Sequence, residues 1–340
     1  MSQTSSERTP KIGTGIEGRV ERKPFEDYAA ELMGRAIVAY GDVKRLIRQT
    51  FDKLGLLEGC AVLRPEALHD PAELVCTEID RRGLSAGGIV AFGEDHYWSG
   101  ALAQEQTLVA ALQEKYGPKF KKVFLEEKAG LQPCVAEYYA TGVMPKRLEE
   151  YLLHGFTRRG AAGGGYDYKL ELVKLCHDLQ IPVEFVDYGE EEGRDQTLSD
   201  RMSASISEQL DGLYVAIGGL NHMSKHPNAR GADHTAVSLL GEKYGGERIL
   251  SICSLNSDPQ QESIRKATGG PGNQILDDLA HLHAFTKPTA MITCETPYGA
   301  MPFAPKIGMT FAIQEAFDIL EHCPGVSLLP KESPATQKAA

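Results

Sequence analysis

The hydrophobic positions change period repeatedly along the chain. Short apolar runs at 88–92, 122–125, 182–187, 213–217, 248–253 and 290–294 predict strands. Between them apolar residues recur at helical spacing, which predicts helices over 101–116, 133–141, 145–155, 168–179, 197–210 and 236–244, and a last one over 309–322. Strands separated by helices, with no hairpin dipeptides joining them, read as an α/β fold: a mostly parallel sheet with helices on both faces. Upstream, Tyr28, Leu32, Ala36, Tyr40, Leu46, Ile47 and Phe51 keep a helical period, broken at Gly41, and predict an N-terminal helical extension. The expected organisation is a polar, disordered arm at 1–24, the helical extension at 25–86, one α/β domain at 87–330 and a disordered tail at 331–340. The Gly-rich stretch at 160–165 reads as a flexible connector inside that domain.

Charge and composition then narrow the partners. The 340 residues include 36 Lys and Arg against 47 Asp and Glu, a formal charge of −11. Such a surface repels phosphate backbones, so no nucleic acid is expected as a partner. No apolar run approaches the ~18 residues of a membrane span. The 7 cysteines are scattered singly with no CxxC pair, which suits reduced thiols and a cytoplasmic setting. The Ser- and Thr-rich arm has no apolar core like that of a secretory signal. Such an arm also suits secretion through a specialised system, and that alternative stays open.

Several motifs fail their context. Gly13-Thr14-Gly15-Ile16-Glu17-Gly18 spells a dinucleotide fingerprint but lies in the polar arm, with no strand before it. Gly83-Leu84-Ser85-Ala86-Gly87 spells a nucleophile elbow, yet it enters a strand instead of leaving one and reads as a turn. Gly269-Gly270-Pro271-Gly272 lacks the Lys-Ser/Thr of a phosphate loop. His281 and His283 stand two apart and point to different faces of a helix.

In a parallel α/β sheet, ligands collect at the carboxyl ends of the strands. After the first strand comes Gly93-Glu94-Asp95-His96, and after the second Glu126-Glu127. The third ends in Asp187, followed by Arg194-Asp195 and later Arg201; after the fourth comes Gly219-Leu220-Asn221-His222. One sheet edge thus gathers two histidines, several carboxylates and an arginine, with Asp187, Arg201 and Asn221 as secondary members. A single GxxH is weak, but two of them, each directly after an apolar strand, are hard to obtain by chance. Adjacent carboxylates point apart, so one of Glu126 and Glu127 is expected to be structural. Carboxylates beside histidines supply either an acid–base pair or a metal site in which His96, His222 and Glu126 hold one divalent ion.

The order GxxH, strand–Glu, Arg-Asp, strand–GxxH resembles the superfamily that joins Tiki/TraB proteins, ChaN-like haem-binding proteins and erythromycin esterases. Gly93-Glu94-Asp95-His96 has the GExH form of the ChaN-like branch, not the GExxH spacing of the esterases. Arg194-Asp195-Gln196-Thr197-Leu198-Ser199 is similar to the family's Arg-Asp-x-x-Met-Ala, with Arg201-Met202 as a rival alignment. The resemblance implies a hydrolase of a small molecule or peptide, with Glu94, His96, Glu126, Arg194 and His222 as its catalytic residues. Two alternatives remain: a haem or iron binder using His96 or His222 beside Tyr97, Trp98 and Met223, and a translocated effector or toxin using the same pocket.

Overall fold

The computed structural model describes residues 65–94, 96, 99–154, 167–187, 189, 193–206, 208, 210–226, 234–256, 287–296, 302–303 and 311–323. The expected arm at 1–24, most of the helical extension, the connector at 160–165 and the tail lie outside the described residues, as do Asp95, Tyr97, Trp98, His281 and His283.

The elements follow one another as α1 (Pro71–Arg82), β1 (Gly88–Glu94), α2 (Ser99–Tyr116), β2 (Phe120–Lys128), α3 (Gln132–Thr141), α4 (Lys146–His154) and α5 (Asp167–Asp178). Then come β3 (Val183–Asp187), α6 (Arg194–Ser205), β4 (Leu213–Gly219), α7 (Ala236–Tyr244), β5 (Ile249–Asn256), β6 (Thr289–Ile292), β7 (Pro302–Phe303), β8 (Phe311–Ala312), α8 (Ile313–Ala316) and β9 (Ile319–Cys323). Local chemistry sets the ends: in α1, Asp70 caps the Glu73 amide, Pro71 opens the first turn, and Gly83 closes the helix in the left-handed region at φ 69°. The 83–87 motif is a short 3-10 turn from that helix into β1, as its context predicts.

Among the described residues, seven strands form one sheet in the order β3-β2-β4-β1-β5-β9-β6. All neighbours are parallel except β6, which runs antiparallel to β9. The two-residue period of a strand sends alternate side chains to opposite faces. Val90 and Phe92 of β1 therefore join a core with α1, α2, α4 and α5, while Ile89 and Ala91 join another with α6 and α7. Helices thus cover both faces, and each fully buried Phe or Leu contributes about 1.5–3 kcal/mol.

One expectation is overturned. The last segment is not a helix over 309–322: Ile319–Cys323 is a strand, buried throughout, inserted between β5 and β6. Five residues that include Glu321 and His322 carry no clear period of their own, and here the open edge of β5 decides. The sixth strand exists and is the antiparallel member of the mostly parallel sheet.

Strand order puts the site in place. β4 inserts between β1 and β2, with Glu94 in register with Gly219 and Leu125 with Ile217. The carboxyl ends of β1, β2, β3 and β4 therefore meet along one edge.

Candidate active site

Each predicted residue has its own local support. β2 shifts register against β3 between Leu125 and Lys128, the segment that carries Glu126 and Glu127; such a bulge re-aims side chains beside a site. Both carboxylates are buried, but they serve different ends. Glu127 accepts a hydrogen bond from the Tyr151 hydroxyl at 2.8 Å, and burial pushes its carboxyl up from the ordinary range. It is the structural member of the pair. Glu126 accepts the Gly219 backbone N–H on Oε2 at 2.5 Å and the Arg194 Nη2 on Oε1 at 2.7 Å.

Arg194 opens α6 and reaches back across the sheet edge. Its Nε and Nη2 donate to Asp187 Oδ1 and Oδ2 at 3.2 and 2.6 Å, a bidentate clamp at the end of β3. Asp187 thus acts on the site through Arg194. Arg201, the rival arginine, is exposed further along α6, and Asn221 is exposed in the turn after β4. Neither is among the groups brought together on Glu126.

His222 sits in the turn closed by its own N–H to Gly219 O at 2.8 Å. It is buried, with Nδ1 2.6 Å from Asp195 Oδ1 and Nε2 3.4 Å from Glu126 Oε1. Asp195 also accepts the N–H of Ala236, the first residue of α7, at 2.9 Å. Sequence reasoning quoted Asp195 beside Arg194 without assigning it a role; its partners lie 27 and 41 residues on.

His96 is a quarter exposed and donates from Nδ1 to Glu94 Oε1 at 2.9 Å. Burial disfavours its charged form, but the hydrogen bond to Glu94, the Glu94 charge and then the Glu126 charge outweigh it and raise its pKa. A Cβ on Gly219 would stand 2.9 Å from His96 Nε2 and 3.4 Å from Glu126 Oε2, and a Cβ on Gly218 would meet Glu126 Oε2 at 2.6 Å. The two glycines are what let the His96 ring and the Glu126 carboxylate close over the end of β4. Glu94, beneath His96, is held by Lys169 at 2.9 Å, and Lys169 also donates to Glu105 at 2.7 Å; sequence reasoning named neither residue.

Among the described residues no group of three or more His, Cys, Asp and Glu side chains is gathered closely enough to hold a metal ion. The Arg194 guanidinium already sits on the Glu126 oxygen that faces His222, where a second cation is repelled. His222 and Met223 are poorly placed for haem. His222 is buried with Nδ1 on Asp195, and Met223 packs into the core under α6 and α7 instead of forming a platform. Among the described residues, no helix is long and apolar enough to cross a membrane. The six cysteines among them carry free thiols.

No protein-family model matches the chain, and no curated protein matches it. Solved structures do. A protein from Bacillus cereus is 13% identical over 73% of this chain and 91% of its own, with a TM-score of 0.45. A succinoglycan biosynthesis protein is 11% identical over 76% of this chain and 92% of its own, with a TM-score of 0.45. An erythromycin esterase mutant in its open conformation is 12% identical over 76% of this chain and 95% of its own, with a TM-score of 0.48. At these identities and scores the likenesses fix neither the family nor the activity of this chain.

Proposed function

We propose that the chain is a hydrolase that activates water with a histidine–carboxylate pair and needs no metal for the chemical step. The observation that carries this reading is the convergence of His96, His222 and Arg194 on Glu126 at one sheet edge. His96, with Nδ1 donating to Glu94, presents Nε2 as the proton acceptor for a water molecule. The water oxygen attacks the electrophilic carbon of an ester or amide, and charge develops on the carbonyl oxygen. Arg194 spends Nε and Nη2 on carboxylates and meets that oxyanion with Nη1. His222, held through Nδ1 on Asp195 and with Nε2 at the longer 3.4 Å from Glu126 Oε1, delivers a proton from Nε2 to the leaving group, and the proton that His96 took from the water replaces it before the next turnover. Glu126 positions both Arg194 and His222. The GxxH resemblance supports the same assignment. The substrate is a small molecule or a peptide, and the reduced thiols suit a cytoplasmic setting.

The test is hydrolysis of p-nitrophenyl acetate, p-nitrophenyl butyrate and a chromogenic peptide panel by the full chain, with and without EDTA. Turnover that survives EDTA and falls at least ~100-fold in His96→Ala and in His222→Ala is expected. Full activity in either variant overturns the reading, as does activity that EDTA abolishes. A Soret band on haem titration that disappears in His222→Ala replaces it with the haem-binding alternative.

A further inference from the structure

Beneath His96 lies a group of ionisable side chains that the proposed steps do not use. Lys169 on α5 donates to Glu105 Oε2 on α2 at 2.7 Å and stands 2.9 Å from Glu94 Oε1 at the end of β1. All three are buried, Glu105 completely. Two carboxylates against one ammonium would leave a net charge among the three, which the interior disfavours unless it is neutralised. Two oxygens, Glu94 Oε2 and Glu105 Oε1, are buried without a hydrogen-bond partner. Lys169 makes its contacts to the other oxygen of each group, so one ammonium holds the two carboxyls side by side. A single proton shared by the two carboxyls brings the trio to zero net charge and supplies the donor that the orphaned oxygens lack.

The environment says where the proton resides. Burial and the neighbouring Glu94 charge push Glu105 well above the ordinary carboxylate range. Burial pushes Glu94 up as well, but the Lys169 charge and the hydrogen bonds from Glu105 and His96 overcome it and hold Glu94 well below that range. Glu94 is then fixed by Lys169 and the His96 ring on Oε1 and by the neighbouring Glu105 acid. The direction of the His96 ring, and so the place of its Nε2 against Gly219 and Glu126, depends on that anchorage.

We infer that Glu105 and Lys169 are positioning residues that act on His96 through Glu94, with Glu105 serving as a neutral acid that donates to Glu94; their part in catalysis rests on the reading of His96 as proton acceptor. Glu105→Gln is the deciding variant, because its amide keeps a donor toward Glu94 and an acceptor toward Lys169. Glu105→Leu and Lys169→Met remove them. Three readouts apply to the full chain at pH 7. The infrared difference spectrum between the native chain and Glu105→Gln shows the loss of a protonated-carboxyl C=O band, which the difference separates from the buried Glu127 and Glu321. The His96 Nδ1–H resonance in ¹⁵N-edited NMR persists in Glu105→Gln and is lost in Glu105→Leu and Lys169→Met. With p-nitrophenyl acetate, kcat falls about 10- to 100-fold in those two variants with KM unchanged, while Glu105→Gln stays near native.

An unchanged carboxyl band in Glu105→Gln means that Glu105 is ionised and overturns the inference. Loss of the His96 resonance in Glu105→Gln overturns it too, and this holds even if the Leu and Met variants fail to fold. The infrared and NMR readouts need no substrate. If both follow expectation while no ester is cleaved, the positioning of His96 stands and the hydrolase reading fails.

Discussion

His222 Nδ1 and Asp195 Oδ1 stand 2.6 Å apart, and the same oxygen takes the first N–H of α7. Asp195 therefore orients the ring and ties the GxxH turn to the helix after it. Asp195→Asn keeps an acceptor oxygen for both contacts and loses only the charge. If His222 changes its charge during the reaction, that loss is felt in turnover. A charged hydrogen bond exceeds a neutral one by roughly 1–2 kcal/mol, so kcat for p-nitrophenyl acetate falls about 5- to 30-fold with KM unchanged. Thermal unfolding of the variant shows whether the start of α7 has survived, as expected.

The pH profile reports His96. Burial works against the charged ring and Lys169 adds to that, but the Glu94 hydrogen bond and charge, with Glu126, raise the pKa above its ordinary 6.5. A base must be neutral to act, so kcat/KM rises with pH through a midpoint above 6.5. Glu94→Gln removes the largest raising contributions and leaves burial, so the midpoint moves down. The same shift has a stability sign: the raised pKa stabilises the fold fully below the unfolded value and less as pH rises through the folded one. A rate that falls with rising pH over this window assigns His96 as the acid instead.

Arg194 and Arg201 separate cleanly by mutation. Arg194 bridges Glu126 and Asp187, both buried, and removing it strands two carboxylates. Arg194→Ala is expected to lose about 3–5 kcal/mol of stability by denaturant unfolding, along with its activity. Arg194→Lys restores a charge but not the bidentate fork on Asp187, and recovers stability better than turnover. Arg201 is exposed further along α6 than the Glu126 contacts, and Arg201→Ala leaves turnover unchanged.

How much of this was legible in the sequence follows from which interactions are local. Glu94, Glu126, Asp187 and His222 could be found because parallel strands point their carboxyl ends to one edge, and each of these residues ends a strand or follows closely after it. The choice between Arg194 and Arg201 could not be made, because it depends on which turn of α6 faces Asp187. Glu105 carried an unread signal: it lies on the buried stripe of Ala101, Leu102, Leu108, Val109 and Leu112, where a charge demands a partner. Lys169 repeats that signal beside Leu172, Val173 and Cys176. The strand Ile319–Cys323 was not legible, since Glu321 and His322 interrupt its apolar residues and break the strand pattern, and only hydrogen bonding to β5 and β6 makes it a strand.

Gly219→Ala tests whether the close approach over β4 matters to the chemistry or only to packing. The backbone of Gly219 is not in the left-handed region, so alanine is not excluded by its own conformation. Its Cβ would nevertheless stand 2.9 Å from His96 Nε2 and 3.4 Å from Glu126 Oε2. Glu126 is clamped by Arg194 and by the Gly219 N–H, whereas His96 is a quarter exposed and able to move outward. The ring is therefore the part that gives way. Stability falls by no more than about 1–3 kcal/mol, the range for a small overpacking change. Turnover falls on the order of 100-fold, because a displacement near 1 Å is enough to spoil the alignment of an attacking water. Comparing kcat with the His96 ring resonances in the variant decides the matter: unshifted resonances with full turnover would remove Gly219 and the His96 ring from the reacting centre.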